Sequence, residues 1–133
     1  MEVTKTAAIA GMEISEIESR IDEKQLKQLM EKIRRAKKIY VCGAGRSLLM
    51  LRCFAMRLMH VGYDAYVVGD TTTPAFEEGD LLIVGTASGE TTNLISIADR
   101  AKSYGGTIAV CSIFPESSLG KRADAFVRIP AYT

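Results

Sequence analysis

The sequence of 133 residues contains no tryptophan, only one histidine and only three cysteines. The cysteines are widely spaced and no C-x-x-C pair occurs, so the sequence gives no support for a zinc site or a disulfide framework. Cys42, Cys53 and Cys111 each lie in an apolar context, which predicts buried, reduced thiols with a structural role. We therefore expect no metal and no metal-dependent chemistry.

An excess of charge of one sign is also lacking, because 17 basic and 16 acidic residues leave a net charge of +1. Nucleic-acid-binding domains usually carry a basic face, so this balance does not favour such a partner. No apolar run reaches the roughly 20 residues that a membrane span requires, and the N-terminus lacks the apolar core of a signal peptide. We expect a cytoplasmic protein with neither a membrane nor a nucleic acid as partner.

Apolar residues make up 47% and charged residues 25% of the chain, which is typical of a single globular domain. Residues 1–36 form a helical lead-in, one helix or two, in which apolar residues recur at roughly helical spacing from Ile14 onward. The rest alternates strands with helices. Apolar runs predict strands at 39–42, 65–68, 81–84, 107–111 and 125–129, helices at 47–61 and 92–104, and a short turn near Leu119.

Strands that are apolar throughout and separated by helices indicate a parallel sheet covered on both faces. With right-handed crossovers, the pattern predicts an α/β protein, a three-layer α/β/α sandwich around a five-stranded parallel sheet. Such a sheet has one ligand crevice, at the carboxyl ends of its strands.

The turn from Val84 to Thr91 follows the third predicted strand and precedes a helix. Its hydroxyl residues, Thr86, Ser88 and Thr91, place donors at a helix N-terminus, and Gly89 would allow close approach of the backbone to an anion. Serine and threonine are also ordinary helix caps. The turn has more hydroxyls than one helix requires, which favours a bound phosphate.

A second turn, Gly43-Ala44-Gly45-Arg46-Ser47, ends the first strand, so both turns can share one site. Gly45, Arg46 and Ser47 are therefore candidate phosphate-binding residues. Two other interpretations stay open at this turn: a tight turn that requires only the freedom of glycine, and half of a dinucleotide fingerprint. The third glycine of that fingerprint would fall at Leu48, which argues against it.

Three further features have both a functional and a structural interpretation. His60, near the end of the helix 47–61, is a catalytic candidate or a packed residue. Glu90 is a second catalytic candidate, although a carboxylate at a helix N-terminus is favoured by the dipole alone. Met50, Met56 and Met59, with Phe54, form an adaptable apolar surface that suits a core or a subunit interface.

The two turns, together with residues 54–60, 66–70 and 79–82, resemble the sugar isomerase (SIS) domain, and within it most closely the 6-phospho-3-hexuloisomerase family. The resemblance extends over nearly the whole chain from about Leu26. It implies a flavodoxin-like SIS fold and a tetramer that needs no cofactor. It also implies the interconversion of 3-hexulose 6-phosphate and fructose 6-phosphate in the ribulose monophosphate pathway.

The resemblance further implies that Thr86, Ser88 and Thr91 hold the phosphate, with Gly45 and Ser47 nearby. The reaction moves a proton between C2 and C3 through an enediol, which requires a base and a group that stabilises the oxyanion. His60 and Glu90 are the titratable residues at family motif positions and are the expected catalytic residues. In the family a C-terminal helical segment with a glutamate, a candidate base, follows the fifth strand. This sequence ends at Thr133 without that segment, and two explanations stay open: a truncated sequence, or a protein that lacks the helix.

Two alternative functions stay open. One is a non-catalytic SIS module that binds a sugar phosphate as a signal, although the lead-in is too short and too weakly basic to be a helix-turn-helix domain. The other is an isomerase of a different phosphosugar, such as arabinose 5-phosphate, against which residues 54–60 argue.

Overall fold

The computed structural model describes residues 2–131. The elements in this part of the chain are five helices and five strands. In chain order they are α1 (Val3–Ser19), α2 (Glu23–Arg35), β1 (Ile39–Gly43), α3 (Gly45–His60), β2 (Ala65–Val67), β3 (Leu81–Gly85), α4 (Thr92–Ser103), β4 (Thr107–Ser112), α5 (Ser118–Arg122) and β5 (Ala125–Arg128).

The strands form one sheet in the order β2-β1-β3-β4-β5, and every neighbouring pair is parallel. This is the flavodoxin-like order, and it confirms the expected α/β fold. The helical lead-in is two helices, and α1 begins earlier than the apolar pattern indicated. The short turn near Leu119 is the helix α5.

The two faces of the sheet carry separate cores because side chains alternate along each strand. Helices α2 and α3 cover one face through Ile33, Leu51, Ala55 and Leu58, which meet Ile39, Val41, Leu81 and Ile83. Helices α4 and α5 cover the other face, where Leu94, Ala98, Ala101 and Leu119 meet Tyr40, Cys42, Leu82, Val84, Ile108 and Val110.

The prediction of three buried thiols is wrong for one of them. Cys42 is buried and Cys111 is partly buried, and burial raises the pKa of Cys42 to about 12 and that of Cys111 to about 11. Cys53 is exposed, because it lies on the side of α3 that faces away from the sheet. Its apolar neighbours in the sequence, Leu51, Phe54 and Ala55, instead pack towards the sheet.

The methionines of α3 are not part of the core of a single chain, since Met50, Met56 and Met59 are 64%, 57% and 51% exposed. Phe54, which the sequence analysis grouped with them, packs partly against the core. Helix α1 has no buried residue, and Met12 and Ile14 are exposed on it. Within residues 2–131, no helix is long and apolar enough to cross a membrane.

Candidate functional site

The two glycine-hydroxyl turns lie side by side at the carboxyl edge of the sheet. Strands β1 and β3 are neighbours, and Gly43 is paired with Gly85 at their last position. From β1 the chain enters α3 on one face of the sheet, and from β3 it enters α4 on the other face. The connections diverge between these two strands, and this is the point at which open parallel sheets bind ligands.

A cavity of about 250 Å³ opens between the two turns. Four of the predicted phosphate-binding residues line it, namely Ser47, Thr86, Ser88 and Thr91. The other lining residues are Ala44, Gly85, Ala87 and Leu94. Ala44, Gly85 and Ala87 are small, and their only signal in the sequence is small size beside the hydroxyls, which lets a ligand come close to the backbone. Leu94 has only the signal of a core residue.

Both helices that begin at this cavity lack a side-chain cap. The N-cap residues are Ala44 for α3 and Thr91 for α4, and neither side chain accepts a hydrogen bond from its helix. Helix α2, which begins elsewhere, is capped by Asp22 through the N–H groups of Lys24 and Gln25. The uncapped first-turn N–H groups and the two dipoles make this edge of the sheet favourable for an anion.

Two hydroxyls at the cavity are oriented by the turn itself. The oxygen of Thr86 accepts from the N–H of Gly89 at 3.2 Å, and the oxygen of Ser88 accepts from the N–H of Glu90 at 3.1 Å. A hydroxyl that accepts a bond from the backbone keeps its own hydrogen for a ligand. Thr86 and Ser88 are therefore positioned as donors.

Three predicted phosphate-binding residues do not line the cavity. Gly45 has φ +57°, which allows the sharp turn from β1 into α3. Arg46 is exposed beside Ser47 in the first turn of that helix. Gly89 has φ +73°, and a Cβ atom there would collide with the side chain of Ser117, so the absent side chain makes room for Ser117.

His60 is exposed at the far end of α3. Because an α-helix rises about 1.5 Å per residue, His60 lies about 20 Å along the helix axis from Ser47. One chain therefore does not bring His60 to its own cavity.

Glu90 also lies outside the lining of the cavity, with its carboxylate bound to α5. One carboxylate oxygen accepts from the N–H of Ser118 at 2.9 Å and the other from the hydroxyl of Ser118 at 2.5 Å. These bonds hold the pKa of Glu90 below its ordinary value. An engaged carboxylate of lowered pKa is a weak base, so the geometry does not favour proton transfer by Glu90.

A larger cavity of about 500 Å³ lies on the α4 face, next to β1 and β2. Its walls are mainly apolar and include Tyr40, Val68, Phe76 and Ile97, and Arg100 is its one charged residue. Phosphate requires several converging donors. The smaller cavity supplies them, and we place the candidate functional site there in spite of its size.

The sheet order and the two uncapped helices define the class of the protein: a flavodoxin-like α/β protein with a candidate anion site at the switch point of its sheet. The family model of the SIS domain matches residues 32–132, and the chain therefore belongs to the SIS domain family.

Named relatives indicate which kind of SIS protein this chain resembles. A 3-hexulose-6-phosphate isomerase of Bacillus subtilis is 45% identical over 98% of this chain and 70% of its own length. One of Mycobacterium gastri is 42% identical over 98% of this chain and 65% of its own length. A Methanococcus jannaschii crystal structure, for which 3-hexulose-6-phosphate isomerase function was inferred, is 38% identical with a TM-score of 0.78. The match to that structure covers 84% of this chain and 62% of the other. These relatives confirm the resemblance seen in the sequence.

Proposed function

We propose that this chain is a phosphosugar isomerase that interconverts 3-hexulose 6-phosphate and fructose 6-phosphate. The observation that carries the proposal is the cavity at the sheet edge, where two uncapped helix N-termini and four hydroxyl side chains converge. The names of the relatives indicate which sugar the substrate contains, and the geometry of the cavity supports binding of the phosphate group.

The phosphate would accept hydrogen bonds from Ser47, Thr86, Ser88 and Thr91, and from the first-turn N–H groups of α3 and α4. Binding at this fixed point would hold C2 and C3 of the sugar at a constant distance from the sheet edge. Such positioning lowers the barrier to a proton transfer only where an acid–base group is also in reach.

No titratable side chain of the described residues lines the cavity, so the acid–base group has to come from elsewhere. We infer that the protein works as a homo-oligomer, a tetramer as the family resemblance implies, in which His60 serves the cavity of a neighbouring subunit. The exposed methionines on the helix that carries His60 support such an assembly. We place the reaction in the ribulose monophosphate pathway of the cytoplasm, without a cofactor.

A coupled assay tests the isomerase directly. Protein of verified intact mass is given 3-hexulose 6-phosphate, and fructose 6-phosphate is measured through a dehydrogenase-coupled reaction. We expect turnover that depends on enzyme concentration. Binding of fructose 6-phosphate without any turnover would contradict the proposed activity.

A second function, a sugar-phosphate-binding module without catalysis, is favoured by one observation, the lack of a titratable group among the residues that line the cavity. Titration calorimetry with fructose 6-phosphate distinguishes the two functions when it is combined with the assay. Binding with turnover supports the isomerase, and binding without turnover supports the module.

A further inference from the structure

We propose that Glu90 is a positioning residue which, with Ser117 and Ser118, clamps the phosphate-binding turn to α5 and so directs the turn's donors at the ligand. This inference rests on the proposed function for the identity of the ligand. It gives Glu90 a role other than that of a base.

The bonds of Glu90 form the outer part of the clamp. Both carboxylate oxygens accept from Ser118, one from its N–H and one from its hydroxyl. The two residues are 28 positions apart, so the bonds fasten the turn after β3 to a helix after β4. Glu90 is exposed, and the second acceptor bond restricts the carboxylate to one orientation.

The inner part of the clamp is formed at Gly89. The carbonyl oxygen of Gly89 accepts from the N–H of Leu119 at 3.0 Å. The side chain of Ser117 is 5% exposed and fills the space beside Gly89, and its oxygen caps α5 through the N–H of Gly120. A side chain at position 89 would therefore separate the turn from α5.

The other end of the turn is fastened to β4. The carbonyl oxygen of Ala87 accepts from the hydroxyl of Ser112 at 3.1 Å and from the N–H of Ile113 at 3.4 Å. The carbonyl oxygens of Ala87 and Gly89 thus point to β4 and α5. This orientation matters electrostatically, because a carbonyl oxygen directed into the cavity would repel a phosphate.

The clamp predicts an effect on ligand affinity rather than on the chemical step. A turn that is ordered before the ligand arrives has less conformational entropy to lose on binding. Loss of the clamp should raise the dissociation constant of fructose 6-phosphate and KM together. It should leave kcat nearly unchanged, because the bonds of the clamp do not contact the reacting carbons.

This effect is tested with three variants: Glu90→Ala, Ser118→Ala and the double variant. Glu116→Ala is the matched control, since Glu116 is an exposed carboxylate near α5 with no hydrogen bond to the turn. For both single variants we expect a three- to thirtyfold rise in KM and in the dissociation constant of fructose 6-phosphate measured by calorimetry. The rate of hydrogen exchange of residues 86–91 should rise by a similar factor. The double variant should resemble the single variants, because each removes the same contact. Glu90→Gln, which keeps one acceptor oxygen, should be intermediate.

Three results would overturn the clamp. One is a large fall in kcat for Glu90→Ala at unchanged KM, while Ser118→Ala has the kcat and KM of wild type. That is the behaviour of a catalytic base. The second is additive effects in the double variant, and the third is unchanged exchange of residues 86–91. Exchange is measured without ligand, so the clamp can stand when wild-type protein shows no turnover, and that outcome removes only the proposed isomerase.

Discussion

The hydroxyls of Thr86 and Ser88 serve the protein and the proposed ligand at the same time. Each oxygen accepts a backbone N–H of the same turn, which fixes the direction of the hydrogen that remains. The donors are thus ordered by bonds only two or three residues long. Local bonds of this kind are cheap in entropy, which suits a site that must be ready before the ligand binds.

Ser88→Ala should raise KM and the dissociation constant of fructose 6-phosphate, because one donor to the phosphate is lost. A hydrogen bond to a charged group contributes about 1.5–3 kcal/mol, which corresponds to roughly 10- to 150-fold in affinity. Steady-state kinetics and calorimetry measure the change. Ser96→Ala, an exposed serine further along α4, is the control and should have no effect. An unchanged KM for Ser88→Ala would remove Ser88 from the phosphate site.

At the residue level, the sequence located the hydroxyl residues that line the cavity better than the surroundings of Glu90. Ser47 and Thr86 could be recognised because their position after a strand places them at the sheet edge whatever the rest of the fold does. The role of Glu90 depends on Ser118, and that of Gly89 on Ser117, both of which come much later in the chain. No local pattern reveals a partner that only the tertiary fold brings near.

Among the elements, capping distinguishes the two helices that begin at the cavity from α2 and α5. Asp22 caps α2 and Ser117 caps α5, whereas α3 and α4 begin without a side-chain cap at the cavity. A capping oxygen would occupy the place of the ligand's own oxygen. The missing caps reduce helix stability and preserve the anion site, a trade of stability for function.

Ala44→Asp tests this trade at the start of α3. The backbone of Ala44 already has the extended conformation of an N-cap, with φ −131° and ψ 146°. The carboxylate should stabilise the unliganded protein by about 0.5–2 kcal/mol and should weaken the binding of fructose 6-phosphate, because it competes for the same N–H groups. Chemical denaturation and calorimetry measure the two effects.

Ala44→Asn is the matched variant, since it caps without charge and should stabilise the protein with a smaller loss of affinity. Unchanged affinity in Ala44→Asp would show that the first turn of α3 does not hold the phosphate.

The strands and the later helices were predicted to within a few residues, because each has a buried face that imposes its period on the sequence. Helix α1 lies within the predicted helical lead-in of residues 1–36, but the apolar pattern there began only at Ile14. It packs on no core, so its residues from Val3 onward carry no clear apolar stripe to mark where the helix begins. The extent of α5 was missed because five residues are too few to show a period.

For the whole molecule, the position of His60 and the exposed apolar side chains have one explanation in common. The cavity lacks an acid–base group of its own among residues 2–131, while His60 is exposed at the end of the methionine-bearing helix. An assembly through this helix would cover the methionines and carry His60 to another cavity. The sequence pattern predicted these methionines to be core or interface, and their exposure in one chain excludes the core of that chain.

The double substitution Met56→Lys with Met59→Lys should disrupt the assembly, because two charges would have to be buried. We expect a smaller sedimentation coefficient and a loss of turnover, with binding of fructose 6-phosphate within about twofold of wild type, since each chain keeps its own phosphate donors.

His60→Ala should likewise bind the sugar phosphate and lose turnover, but in an intact assembly. Arg34→Lys with Arg35→Lys, a double change on the exposed end of α2, is the control. Full turnover by a monomeric variant would exclude a site shared between subunits.

The divergence of the chain after β1 and β3 also has a consequence for the cooperativity of unfolding. Helix α3 belongs to the core on one face of the sheet and α4 to the core on the other, so a phosphate held by both N-termini would bridge the two layers. Neither layer could then open without releasing the ligand. At a hundredfold excess over the dissociation constant, this linkage adds about 2.7 kcal/mol to the free energy of unfolding, shared by both layers. The bound substrate would thereby act as a reversible cross-link between the two layers, so that both layers unfold as one unit.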